Sequence, residues 1–285
     1  MSGVFRRLRH RRWVDVAEFR RLHEELRDGQ VQLLRAVEAL QDREHEYRRL
    51  LRALRSSREY EHAFTDEDPL VSVTIPTWTN HQALGETAVP SVLAQTHENF
   101  ELVVVGDAAP PETKQLLDSF GDDRIRFVNL PLRGPYPDDA VRRWYVAGVP
   151  AINEASQLAR GSWIAPLNDD DAFTPDHIEV LLAAARTRRS EVAYGRFVMN
   201  FTDRPPFEHG AYPPVLGQFT WQAAIHHAGL RFFEMELGDA WFDRPGDWSL
   251  CRRMLLAGVR FTMVDDVVAH LFPAATAKSE ALFGE

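Results

Sequence analysis

The chain has 285 residues, 45% hydrophobic and 26% charged, proportions of a folded globular protein rather than a disordered one. No apolar run approaches the roughly 18 residues that crossing a bilayer demands. The Arg-rich start is unlike a secretory signal, and one cysteine, Cys251, excludes an internal disulfide framework or a Cys-only metal cluster. A cytoplasmic enzyme or binding protein is the expectation.

The formal net charge of −9 is uneven: residues 1–60 hold 15 Arg against 10 Asp and Glu, giving +5, so the remainder carries −14. An acidic body lacks the clustered cations that nucleic acid requires, so no nucleic-acid partner is expected. It does suit a protein that holds a divalent metal.

In chain order, Phe5 to Trp13 mixes arginines with Phe5, Leu8 and Trp13. That composition suits peripheral contact with an anionic membrane surface, and equally a solvated, frayed terminus. Next, Phe19, Leu26, Leu33, Leu40, Tyr47 and Leu54 recur every seven residues, while the companion positions Leu22, Gly29, Ala36, Arg43 and Leu50 are mixed. One good seam and one broken seam predict a long helix over this stretch. It either lies on its own domain or forms a coiled coil that makes a homo-oligomer. The composition shifts near residue 65, so residues 1–65 are read as an N-terminal helical segment and 66–285 as the main domain.

From residue 70, short β-rich runs alternate with helical stretches. Strands are expected at Val71 to Ile75, Phe100 to Val105, Arg126 to Leu130 and Trp163 to Leu167. Helices are expected through Ser91 to Gln95, near Glu112 to Phe120, over Ala151 to Ala159, and from Thr174-Pro175 to about Arg186, with Thr174 as N-cap. This alternation implies a mostly parallel sheet flanked by helices.

Ligands of open α/β sheets bind beyond the carboxyl ends of the strands. Pro76-Thr77-Trp78 follows the first strand, Gly106-Asp107 the second, and Asn168-Asp169-Asp170-Asp171 the fourth. Three adjacent carboxylates repel one another, and a hard divalent cation, Mg²⁺ or Mn²⁺, offsets that repulsion while also meeting substrate phosphates. The alternative is that Asp171 and Thr174 simply cap the next helix. Neither a Gly-x-x-x-x-Gly-Lys-Ser/Thr loop nor a Gly-x-Gly-x-x-Gly turn is present, so a nucleotide here needs a metal in place of a glycine cradle.

Val71 to Thr77, Ser91 to Thr96, Asn99 to Asp107, and Gly161 to Asp171 with Pro175 together resemble the family 2 glycosyltransferases. The likeness is close over about residues 70–200, looser over 220–272, and absent from the first 65. The resemblance implies a GT-A fold, a Rossmann-like mostly parallel sheet preceded here by a long N-terminal helix. It also implies a metal-dependent, inverting transfer from a nucleotide-sugar donor, a UDP-sugar, to a saccharide, lipid-linked or small-molecule acceptor. Pro76, Thr77, Asp107 and Asp169 then contact the nucleotide, with Asp107 accepting from the uracil ring. Asp170, Asp169 and His270 become the candidate ligands for Mn²⁺ or Mg²⁺, and Asp247 the general base. The family's usual acidic residues are replaced at Gly106, Asn168 and Gly246. Those departures leave open a second reading, a catalytically silent GT-A-like scaffold acting through its N-terminal helix. A sugar nucleotidyltransferase is disfavoured because Pro76-Thr77-Trp78-Thr79 stands where such enzymes carry a Gly-rich basic loop. His226 and His227 are candidates for the acceptor cleft, Arg142 and Arg143 for the diphosphate. Trp221, Phe232, Phe233, Trp241 and Phe242 either stack on a sugar or build the core.

Overall fold

The structure, a computed structural model, describes residues 16–242 and 244–272. The basic stretch from Phe5 to Trp13 and the side chain of Leu40 lie outside the described residues. The chain divides into two compact units, Met1–Glu46 and Tyr47–Glu285. Helix α1, Val16–Arg55, runs from the first into the second. In the first unit Phe19, Leu26 and Leu33 are exposed, so the heptad seam is solvent-facing there. Among the described residues no helix is long and apolar enough to cross a membrane.

The compact units divide at residues 46 and 47, within the helical segment expected over 1–65, and the reason is burial. Tyr47, Leu51, Tyr60, Ala63 and Phe64 are all core residues of the second unit. After α1, helix α2, Arg58–Thr65, is capped by Ser57, whose side chain accepts from Tyr60 N–H. Ala63 O accepts from Trp163 Nε1 at 3.0 Å, and Phe64 meets the Trp163 ring edge-on. Buried Glu191 completes the anchor, accepting from Tyr60 Oη at 2.6 Å, from Arg55 Nε at 2.8 Å and from Arg260. Burial alone pushes Glu191 up, but these donors outweigh it and hold the carboxyl at about 2.

The second unit is built on one nine-stranded sheet. Strands β1 (Val71–Thr77), β2 (Phe100–Gly106), β3 (Ile125–Asn129) and β4 (Trp163–Pro166) form a parallel half in the order β3-β2-β1-β4. Helices cover both faces, as parallel strands require. Val71, Val73 and Ile75 pack on one side with the helical run α3 (His81–Ala83), a π turn at Leu84–Ala88, and α4 (Val89–Leu93). Val103 and Val105 meet Ala151 and Ala155 of α7 (Val149–Leu158) on the other. Two further connections, α5 (Pro111–Ser119) and α6 (Ala140–Tyr145), precede α7.

Beyond β4 the sheet is mixed. The short β5 (Ala172–Phe173) leaves the Asp turn and crosses to the far edge, where it pairs antiparallel with β9 (Phe261–Leu271). Strand β6 (Val192–Met199) runs parallel to β9 and antiparallel to β7 (Phe207–His209) and β8 (Ala224–His227). Strand β8 joins the halves by pairing antiparallel with β4. The expected N-cap at Thr174 is corrected: α8 (His177–Arg188) has Asp176 at its N-cap. Thr174 is committed instead to β9, its N–H and Oγ1 both donating to Val268 O at 3.1 and 3.3 Å. Helix α9, Gly246–Ala257, completes the unit.

Deleting residues 1–46 is expected to leave the second unit folded, whereas deleting 1–65 removes Tyr47, Leu51, Tyr60 and Phe64 from its core. Circular dichroism melting of the two truncated chains checks this. A 1–65 deletion melting like the full second unit would contradict the assignment.

Candidate active site

The parallel strands end at a common edge, which gathers several of the expected residues. Thr77 closes β1: its carbonyl accepts Asp107 N–H at 2.8 Å, and its Oγ1 donates to Asp169 Oδ2 at 2.7 Å. Thr77, Asp107 and Asp169 are thus linked through three strand ends. Asp107 is buried, and each of its oxygens accepts one hydrogen bond from the chain: Oδ1 from Gly134 N–H at 2.9 Å, Oδ2 from Tyr136 Oη at 2.5 Å. Tyr136 Oη in turn accepts Gly148 N–H at 3.1 Å, so one phenol ties the end of β2 to the start of α7. Burial and then the Asp107 charge raise the Tyr136 phenol, keeping it a donor. Arg133 lies 3.8 Å from Asp107 Oδ2 and stacks its guanidinium 3.2 Å above the Trp78 ring.

The three aspartates after β4 have different surroundings. Asp169 is oriented by Thr77 and, at 3.4 Å, by Asn80 Nδ2, while burial raises its carboxyl. Asp171 is buried and accepts Asn168 Nδ2 at 3.1 Å and Phe272 N–H at 3.0 Å, so it holds the turn and β9 together. It does not cap a helix. Asp170 accepts from no side chain among the described residues. Burial and then the neighbouring Asp169 charge raise it, the expected direction for a carboxylate lacking a counter-charge.

That donor set fits a hard divalent cation: one carboxylate without a side-chain donor beside one oriented carboxylate, at the edge where phosphates would lie. His270 pairs with Ala172, the residue after the Asp turn, and among the described residues no three His, Cys, Asp or Glu side chains are grouped as a metal position.

A cavity of about 200 Å³ opens beside this edge, lined by Pro76 and Asn168 from the strand ends, Asn153 from α7, Trp221 and His226 around β8, and Asp247 from α9. Its size lies below the roughly 300–1,000 Å³ that buries a drug-sized ligand, so it has room for one end of a nucleotide sugar or acceptor. Asp247 sits in the first turn of α9, its Oδ1 accepting Trp248 N–H at 2.6 Å and its carbonyl accepting Trp221 Nε1 at 3.0 Å. A helix N-terminus favours an ionised carboxyl. Burial prevails here and raises Asp247 to about 6.

Each departure from the family pattern has a packing reason. A Cβ at position 106 would collide with Asn129 Oδ1, which accepts Ala109 N–H and shapes the turn after β2. A Cβ at position 246 would lie 2.9 Å from Tyr145 O. Asn168 supplies the donor that buried Asp171 needs, where an aspartate would repel it.

Of the other candidates, His226 lines the cavity, whereas His227 is core, between the rings of Tyr60 and Trp163. Arg142 stacks on Trp241 at 4.3 Å and Arg143 donates to Asp138 O, both away from the cavity lining. Trp221 and Phe233 line the cavity, Phe232 packs on Tyr47 and Phe233, and Trp241 is exposed. Sequence reasoning missed Tyr136 and Arg231. The Gly134-Pro135-Tyr136-Pro137 punctuation after the third strand was a signal for the former; no local pattern marks the latter.

Residues 72–137 and 142–256 match the family model described as glycosyl transferase family 2. The putative colanic acid biosynthesis glycosyl transferase WcaA of Escherichia coli K12 is 32% identical over 119 residues, 41% of this chain and 38% of that protein. The matched part is therefore well under two thirds of that relative. Among solved structures, Staphylococcus aureus TarS 1-349 in complex with UDP-GlcNAc aligns with a TM-score of 0.56 and 15% identity, over 72% of this chain and 59% of that one. The mannosyltransferase PcManGT of Pyrobaculum calidifontis, in complex with GDP-Man and Mn²⁺, aligns with a TM-score of 0.53 and 14% identity, over 84% and 68%. At these identities the structures establish a shared GT-A fold.

Asn168→Asp restores the family's acidic position but removes the amide donor to buried Asp171, and is expected to destabilise the fold by about 1–3 kcal/mol. Burial and then the Asp170 charge raise Asp171 to about 8, so repulsion between the two carboxylates adds to the penalty as pH rises from 7 to 9. Chemical denaturation at the two pH values checks this, and a variant at least as stable as wild type at pH 9 would contradict it.

Proposed function

This chain belongs to glycosyl transferase family 2, and we propose that it moves a sugar from a UDP-sugar to an acceptor hydroxyl, with inversion at the anomeric carbon and with a divalent cation bound. The observation that carries this reading is one cavity wall shared by the ends of β1 and β4 and by Asp247. Pro76, Thr77, Asp107 and Asp169 hold the nucleotide end. UDP is favoured by the place of Asp107 at the end of β2 and by a fold neighbour that carries UDP-GlcNAc. Asp170, with Asp169, would hold Mn²⁺ or Mg²⁺, whose charge when bound stabilises the departing diphosphate.

The acceptor oxygen attacks the anomeric carbon while its proton passes to Asp247. The bond from that carbon to the diphosphate oxygen breaks, and its electron pair leaves with UDP. A single displacement with inversion needs one general base, and among the described residues that line the cavity Asp247 is the one carboxylate available for it. A carboxyl raised to about 6 is well matched to general-base work near neutrality. The silent-scaffold reading loses its motive, since the residues at 106, 168 and 246 each have a packing reason.

Asp247→Asn is expected to lower transfer by roughly 10²–10⁴-fold with UDP affinity retained. Because the base must be ionised, wild-type kcat/KM should fall as pH drops below about 6. Initial-rate assays of UDP release across pH 5–8 check both. Wild-type turnover in the variant, or a flat profile, would contradict the assignment.

A further inference from the structure

Two ionised side chains of opposite sign line the cavity, Asp247 and Arg231, and they do not pair with each other. Arg231 Nε donates to Ala228 O at 2.9 Å and Nη1 to Ala159 O at 3.2 Å. These carbonyls fix the guanidinium but bring no charge, and Nη2 donates to no group among the described residues. Elsewhere the fold pairs arginines with buried carboxylates: Arg55 and Arg260 with Glu191, Arg160 with Glu101, Arg253 with Asp239. Arg231 has no carboxylate within ion-pair distance among the described residues. Burial lowers its hold on its proton. His226, depressed to about 4 chiefly by burial, is lowered further by the Arg231 charge.

A half-buried cation on a cavity wall carries a solvation cost that a counter-ion would offset. The planar guanidinium fork matches a carboxylate or a phosphate. An anionic sugar entering without it would meet only the charge of Asp247, which repels it. We infer that Arg231 receives an anionic group, carboxylate or phosphate, borne on the sugar that occupies this cavity. That sugar is either the donor's transferred unit or the acceptor. The inference rests on the glycosyl-transfer reading of the same site, and it adds the charge of the substrate.

Calorimetry with Mn²⁺ present tests it in two arms. Donor binding compares UDP-glucose with UDP-glucuronate; acceptor binding, on UDP-loaded protein, compares methyl glucoside with glucose 1-phosphate. The expected result is roughly tenfold tighter binding of the acidic member in one arm, the size of a charge-assisted hydrogen bond. The arm that responds identifies the source of the anion. Arg231→Gln should erase the difference and Arg231→Lys retain part of it, while UDP binds all three proteins alike. Equal binding of acidic and neutral probes in wild type, or a preference that survives Arg231→Gln, would overturn the inference and leave Arg231 a cap on two carbonyls. Wild-type protein that binds no UDP at all would instead overturn the functional reading, and the inference with it.

Discussion

Three consecutive carboxylates follow β4 at the buried edge of the sheet, and like charges so placed persist only if each has a different outlet. Asp171 turns its carboxyl inward, onto Asn168 Nδ2 and Phe272 N–H, and so closes the sheet between β5 and β9, while burial and then the Asp170 charge raise it to about 8. Asp169 is turned toward β1 by Thr77 and Asn80. Asp170 remains with burial and the Asp169 charge against it and, among the described residues, no side-chain donor for it. The first is a structural pin and the second a carboxylate held in place by its neighbours. The third is a position where an external cation has the most to neutralise.

The two halves of the sheet then divide the labour. The parallel half supplies strand ends and the loop that Tyr136 and Asp107 hold at the start of α7. The mixed half supplies the opposite wall: β8, the 221–235 segment and α9, with Asp247 and Arg231. They meet where β8 pairs with β4, next to Asn168. A sugar between them would have a diphosphate on one side and a base on the other, the arrangement in-line displacement needs. The glutamate anchor at Glu191 fastens the end of α1 behind this wall without entering it.

Much of the parallel half was legible in the sequence because buried parallel strands are continuous apolar runs, and Phe100 to Val105 is one. The carboxylates after β2 and β4 were legible for the same reason, since a strand end fixes where a ligand must lie. The mixed half was not, because β8 is four residues long and its pairing with β4 joins positions more than 60 apart in the chain. The heptad period continued past residue 46 without a break, which concealed that Tyr47 and Leu51 belong to the other unit's core. Thr174-Pro175 carried a good capping signal, and the Val268 carbonyl of β9 outcompeted it. Arg231 is one arginine among 31, and what distinguishes it is a place on the cavity wall with carbonyl partners alone.

The central claim is that the turn after β4 holds a cation on Asp170 for a uridine diphosphate ligand. Calorimetric titration of UDP into metal-stripped protein, with and without Mn²⁺, in wild type and Asp170→Ala, tests it most directly. The account predicts UDP binding that requires the metal and is lost in the variant. UDP bound equally well without Mn²⁺, or undiminished by Asp170→Ala, would contradict it.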